Sequence, residues 1–91
     1  MIRYTLYTED KEGTVEGILE LVSKYFEGAT IQRGVGLWRG KSEYCLKIEL
    51  MVDETNIRND IKLESLVSDI KIVNDQETVM VVKDNPIIWY L

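Results

Sequence analysis

The stretch Ala29-Thr30-Ile31-Gln32-Arg33-Gly34-Val35-Gly36-Leu37-Trp38-Arg39-Gly40-Lys41-Ser42-Glu43-Tyr44-Cys45-Leu46-Lys47-Ile48-Glu49-Leu50-Met51-Val52 decides the fold of this chain. Its second half alternates with period two. Tyr44, Leu46, Ile48, Leu50 and Val52 point one way, and Glu43, Cys45, Lys47, Glu49 and Met51 the other, as in a strand with one buried face. In the first half Ile31, Val35 and Leu37 share one face, while Thr30, Gln32, Gly34, Gly36 and Trp38 share the other. Arg39-Gly40-Lys41 between them reads as a hairpin turn, with Gly40 free to take positive φ. A long hairpin in the middle of a short chain sets the sheet, and the flanking segments must fit around it.

On its N-terminal side, Val15, Ile18, Leu19, Val22, Tyr25 and Phe26 form one stripe of an amphipathic helix. Thr14 is the expected N-cap and Gly28 the expected left-handed residue after its C-terminus. Before it, Ile2, Tyr4 and Leu6 alternate with Arg3, Thr5 and Tyr7 as a strand, which polar Glu9 to Gly13 closes. On the C-terminal side, Asp53-Glu54-Thr55-Asn56 is a helix-start cluster. A helical region over 57–71 follows, with a kink or break expected near Lys62, because Ile57 and Ile61 lie off the stripe of Leu63, Leu66, Val67 and Ile70. Asn74-Asp75 signals a turn, Glu77 to Lys83 a strand, and Asp84-Asn85-Pro86 a second turn. Ile87-Ile88-Trp89-Tyr90-Leu91 reads as a short extra strand. The order β-α-β-β-α-β predicts an α+β, ferredoxin-like fold with two helices on one face of an antiparallel sheet. The second face is left open.

The chain has 91 residues, enough for a single domain over 1–91 with a sufficient but thin core. Sixteen acidic and eleven basic residues give a net charge of −5, which argues against a nucleic-acid binder that gains affinity by neutralising phosphates. One cysteine excludes an internal disulfide framework, and the absence of histidine removes imidazole-based triads and metal sites. No catalytic residue, metal site or cofactor is expected. The N-terminus lacks the apolar run of a signal peptide and no segment reaches the roughly 18–20 apolar residues of a membrane span, so a cytoplasmic protein without membrane contact is expected.

Gly34 to Ser42 superficially resembles a phosphate-binding loop, but Val35 stands where the first glycine of that motif belongs and a strand follows Ser42 instead of a helix. The dinucleotide fingerprint fails at Arg39. What remains is electrostatic. Residues 28–42 carry no acid, while Arg33, Arg39 and Lys41 supply three positive charges beside Trp38. A flat anionic molecule could lie over Gly34 and Gly36, stack on the indole and meet the guanidinium of Arg39. The plainer reading is that the glycines mark a bulge at a sheet edge and that Trp38 fills a subunit contact. Cys45 is read as structural, and Glu43 and Glu49 as cross-strand partners of Arg3, Arg33 or Lys47, or as acceptors of ligand hydroxyls. An RNA-recognition module shares the topology but would need aromatics where Cys45, Lys47 and Glu49 stand. An acylphosphatase-like hydrolase lacks its phosphate loop near the N-terminus. The apolar C-terminal segment predicts a homo-oligomer, most simply a two-fold dimer.

The runs Tyr25-Phe26-Glu27-Gly28-Ala29-Thr30-Ile31, Gly36-Leu37-Trp38-Arg39-Gly40-Lys41-Ser42-Glu43 and Gln76-Glu77-Thr78-Val79 resemble a group of small proteins encoded by phages and prophages. The resemblance covers most of the chain and implies a fold. By type it also implies an inhibitor of host defence, including sponges for nucleotide-derived immune signals. The expected protein is therefore a non-enzymatic, oligomeric binding protein. Arg33, Gly34, Gly36, Trp38, Arg39, Lys41 and Glu43 would hold a nucleotide-like ligand, and Tyr7, Trp89 and Tyr90 would close the pocket. The alternative is a protein–protein inhibitor that meets a host defence protein through its acidic surface or open sheet.

Overall fold

A computed structural model describes residues 1–53 and 56–91. Its elements are β1 (Ile2–Glu9), α1 (Val15–Tyr25), β2 (Thr30–Trp38), β3 (Lys41–Val52), α2 (Asn59–Asn74) and β4 (Met80–Asp84). The strands form one antiparallel sheet in the order β2-β3-β1-β4, so the fold is α+β and ferredoxin-like. Alternation decides the core. Tyr4 and Leu6 of β1 with Leu46, Ile48 and Leu50 of β3 bury one sheet face against Ile18, Val22 and Phe26 and against Leu63, Leu66 and Ile70 of α2.

The hairpin register runs without interruption from Thr30 opposite Glu49 to Trp38 opposite Lys41, so no bulge marks the glycines. β1 pairs with β3 only as far as Cys45. Residues 35–44 therefore form a two-stranded ribbon that projects beyond the four-stranded sheet, tethered at its base by the Asp10 amide, which donates to the Tyr44 carbonyl at 3.2 Å. The apolar alternation outlives the core here: Val35, Leu37 and Tyr44 lie on the helix side but are exposed, because neither helix reaches them. Arg39 and Gly40 both adopt left-handed conformations, φ 49° and 79°, closing a tight two-residue turn.

Several local expectations are corrected. The Thr14 hydroxyl does not cap α1; it donates to the Lys11 carbonyl at 2.9 Å. α1 ends without a left-handed glycine, because Phe26 turns extended to bury its ring, its amide bonding the Val22 carbonyl, and Gly28 has no positive φ. α2 runs unbroken over 16 residues, with the Lys62 amide bonded to the Arg58 carbonyl at 3.0 Å. Burial of Leu63, Leu66 and Ile70 holds it continuous and leaves Ile61 facing solvent. Of its expected start cluster, Glu54 and Thr55 lie outside the described residues. Asn74 is not a turn residue but the buried last residue of α2, and Asp75 takes the left-handed C-cap at φ 47°. β1 extends to Glu9, β4 starts only at Met80, and residues 85–91 form no strand.

Candidate functional site

The open face of the ribbon is built by three cross-strand pairs: Trp38 with Lys41, Gly36 with Glu43, and Gly34 with Cys45. Trp38 is 66% exposed, and the Arg39 guanidinium lies 5.5 Å from the centre of its ring. Such a contact orients the cation beside the indole face. The two glycines have no conformational reason to be there. Neither has a positive φ, and a β-carbon at Gly34 would meet only the Cys45 sulfur at 3.6 Å, and one at Gly36 only the Glu43 carbonyl oxygen at 3.9 Å. Glycine weakens a strand interior, yet both positions would accept a methyl. Together they leave a bare strip of backbone beside Trp38, with Glu43 on one flank and Arg39 and Lys41 at the end.

Other expected site residues lie elsewhere. Arg33 falls on the opposite side of β2 and pairs with Asp10 at 3.3 Å, because its odd position shares the parity of Val35 and Leu37. Tyr7 is on the open face but opposite Lys47, six residues along β3 from the Lys41 that faces Trp38, or roughly 20 Å. Trp89 and Tyr90 follow β4, whose Asp84 pairs with Arg3 at the far end of the sheet, roughly 30 Å from the ribbon tip. Within one chain these three do not close a pocket over Trp38. Of the carboxylates, Glu49 pairs with Lys47 at 3.1 Å, and Arg3 pairs with Asp84 through two hydrogen bonds of 3.0 and 2.6 Å. Among the described residues, no group of three or more histidine, cysteine or carboxylate side chains could hold a metal ion.

Two clusters had no distinct signature in sequence, since their members lie far apart along the chain. Under the sheet the Tyr4 hydroxyl donates to Asp60, which also receives Lys83 at 3.1 Å. Burial, with the adjoining Asp60 carboxylate, pushes the Tyr4 hydroxyl up to about 12, while the bonds from Tyr4 and Lys83 hold Asp60 below its usual range. At the other end, buried Asn74 donates to the Thr8 hydroxyl at 3.1 Å and the Glu9 carbonyl at 2.9 Å. Gln76 accepts from the Thr8 hydroxyl at 2.6 Å. These contacts fix the chain ends of β1 and α2 against each other and serve packing.

The sheet order and the two helices on one face place the molecule among ferredoxin-like α+β proteins. Solved structures share this fold at low identity. A DUF3240 family protein from Shewanella baltica is 12% identical over 97% of this chain and 96% of its own, with a TM-score of 0.61. A phage SAM lyase in complex with S-methyl-5'-thioadenosine is 19% identical over 91% of this chain and 79% of its own, with a TM-score of 0.62. CutA1 from Pyrococcus horikoshii is 16% identical over 94% and 83%, with a TM-score of 0.59. No protein-family model matches the chain, and no curated protein matches it in sequence. No helix among the described residues is long and apolar enough to cross a membrane.

Proposed function

We propose that this chain is a non-enzymatic binding protein that holds an anionic, nucleotide-derived ligand on the open face of the β2–β3 ribbon. The observation that carries the reading is the pair of glycines at 34 and 36, which the backbone does not need, laid beside an exposed indole. A purine lies over the glycine strip and stacks on Trp38. Arg39 and Lys41 neutralise phosphate or carboxylate, and Glu43 accepts from a ribose hydroxyl. Binding a nucleoside is within the reach of this fold, since the phage lyase that shares it was solved with S-methyl-5'-thioadenosine. The resemblance to phage and prophage proteins favours a biological role in sequestering a host signal.

Calorimetric titration with S-methyl-5'-thioadenosine, ADP-ribose and cyclic dinucleotides tests the reading. At least one is expected to bind, at least tenfold more weakly in Trp38→Ala with Arg39→Ala, and to be released intact after heat denaturation. Absence of binding by all of them points instead to a protein target, and a chemically altered ligand to an enzyme. Binding that is unchanged in the double variant removes the ribbon from the site.

A further inference from the structure

The other face of the ribbon is also bare. Val35, Leu37 and Tyr44 are 67%, 75% and 74% exposed on the helix side. A groove of about 390 Å³ lies at the base of this face, lined by Asp10, Arg33, Gly34, Val35 and Tyr44, with Leu37 further toward the ribbon tip. At the opposite end of the molecule Ile87, Trp89, Tyr90 and Leu91 are equally exposed in a segment that forms no strand. Apolar surface of this kind marks interaction sites.

We propose that the groove under the ribbon receives residues 87–91 of a second copy of this chain, each copy giving its tail and accepting another's. The chain's own tail cannot fill it. Asp84 pairs with Arg3, and Asp10 on the near wall is seven residues further along β1, roughly 23 Å away, while Val35 on the far wall lies three strand spacings from β4, roughly 14 Å more to the side. The seven residues after Asp84 span at most about 24 Å when fully extended, enough to touch the near wall but short of the ~27 Å to Val35, so residues 87–91 cannot lie along the groove of their own chain.

The chemistry also matches. The match is apolar: Arg33 in the groove wall already pairs with Asp10 at 3.3 Å and Asp84 with Arg3 at 2.6 Å, so residues 87–91, which carry no charged side chain, meet a wall whose charges are satisfied. The area is adequate. Covering seven large side chains at about 130 Å² each removes roughly 900 Å² per copy, since every copy takes part once as donor and once as acceptor. That compares with the ~800 Å² that each partner buries in a stable interface. Because only a reciprocal exchange puts both contacts into one interface, and a ring would halve the area between neighbours, the assembly is a two-fold antiparallel pair.

Two exposed-site variants test it: Val35→Glu with Tyr44→Glu in the groove, and Trp89→Glu with Tyr90→Glu in the tail, each checked for folding by circular dichroism. By light scattering the wild type is expected to be a dimer and each variant a monomer. When labelled tail variant is titrated with groove variant, its Val35, Leu37 and Tyr44 resonances should shift, because one intact groove then meets one intact tail. A monomeric wild type, dissociation by only one of the two variants, or a mixture without shifts overturns the proposal. If either glutamate variant unfolds, Tyr44→Ser and Trp89→Ser carry the same comparison. Trp38→Ala, on the opposite face, should leave the assembly intact, so ligand binding and assembly fail independently.

Discussion

Gly36 faces Glu43 across the ribbon, and nothing beside it would clash with a methyl group. Gly36→Ala should therefore stabilise the protein slightly, by about 0.5 kcal/mol in urea unfolding, through lower chain entropy in the unfolded state. It should weaken nucleotide binding at the same time. A destabilised Gly36→Ala protein would show that the glycine serves the backbone and not a ligand. Tyr4 gives a second residue-level test. Its folded-state pKa is pushed above the ordinary ~10 of tyrosine to about 12, chiefly by burial and then by its bond to Asp60. The neutral phenol is thus favoured in the fold, so its contribution is fully present below about pH 10 and is lost as pH rises toward 12. Tyr25, bonded to Asp69 at 2.5 Å, is shifted in the same direction. Tyr4→Phe should flatten, without abolishing, the loss of stability over that window, as measured by urea midpoints at successive pH values; an unchanged alkaline limb would contradict the assignment.

At the level of elements, the amphipathic stripe of α1 and the alternation of β1 and β3 were legible because each side chain's environment follows from its own periodicity. Element ends were less so. Thr14 and Gly28 have the composition of caps, but Phe26 leaves the helix to reach the core and removes the need for a left-handed glycine. Ile57 and Ile61 suggested a break in α2, yet burial of three other residues keeps the helix whole. Of the Asn74-Asp75 turn signal, Asp75 does make the turn, whereas Asn74 ends α2 and joins it to β1, its amide donating to Thr8 and Glu9. Asn74→Ala leaves the buried Thr8 hydroxyl and the half-buried Glu9 carbonyl short of a donor, while also removing the buried, unpartnered Asn74 Oδ1, and should destabilise by about 1–2 kcal/mol in chemical denaturation. A change under about 0.5 kcal/mol would mean that water replaces the amide.

For the molecule as a whole, the ribbon is separable from the body. None of the buried apolar side chains lies between residues 35 and 44, so replacing that segment by Asn-Gly between Gly34 and Cys45 should leave a cooperatively unfolding protein with a melting temperature within a few degrees of the parent. It should have lost both ligand binding and assembly. Loss of cooperative unfolding would place the ribbon in the folding core. Read alone, the residues specify the order of elements as far as β4, the hairpin, the buried face of the sheet and the cationic, glycine-bearing character of residues 34–41, because these depend on side-chain period and type; the extra strand expected over 87–91 does not form. Only the tertiary structure decided where the sheet runs out. It turned Arg33 away from Trp38, separated Tyr7, Trp89 and Tyr90 from the ribbon, and left Val35, Leu37 and Tyr44 uncovered. The reason is that strand alternation continues for as long as the strand does, whereas burial stops where the helices end, and nothing local in the sequence marks that boundary.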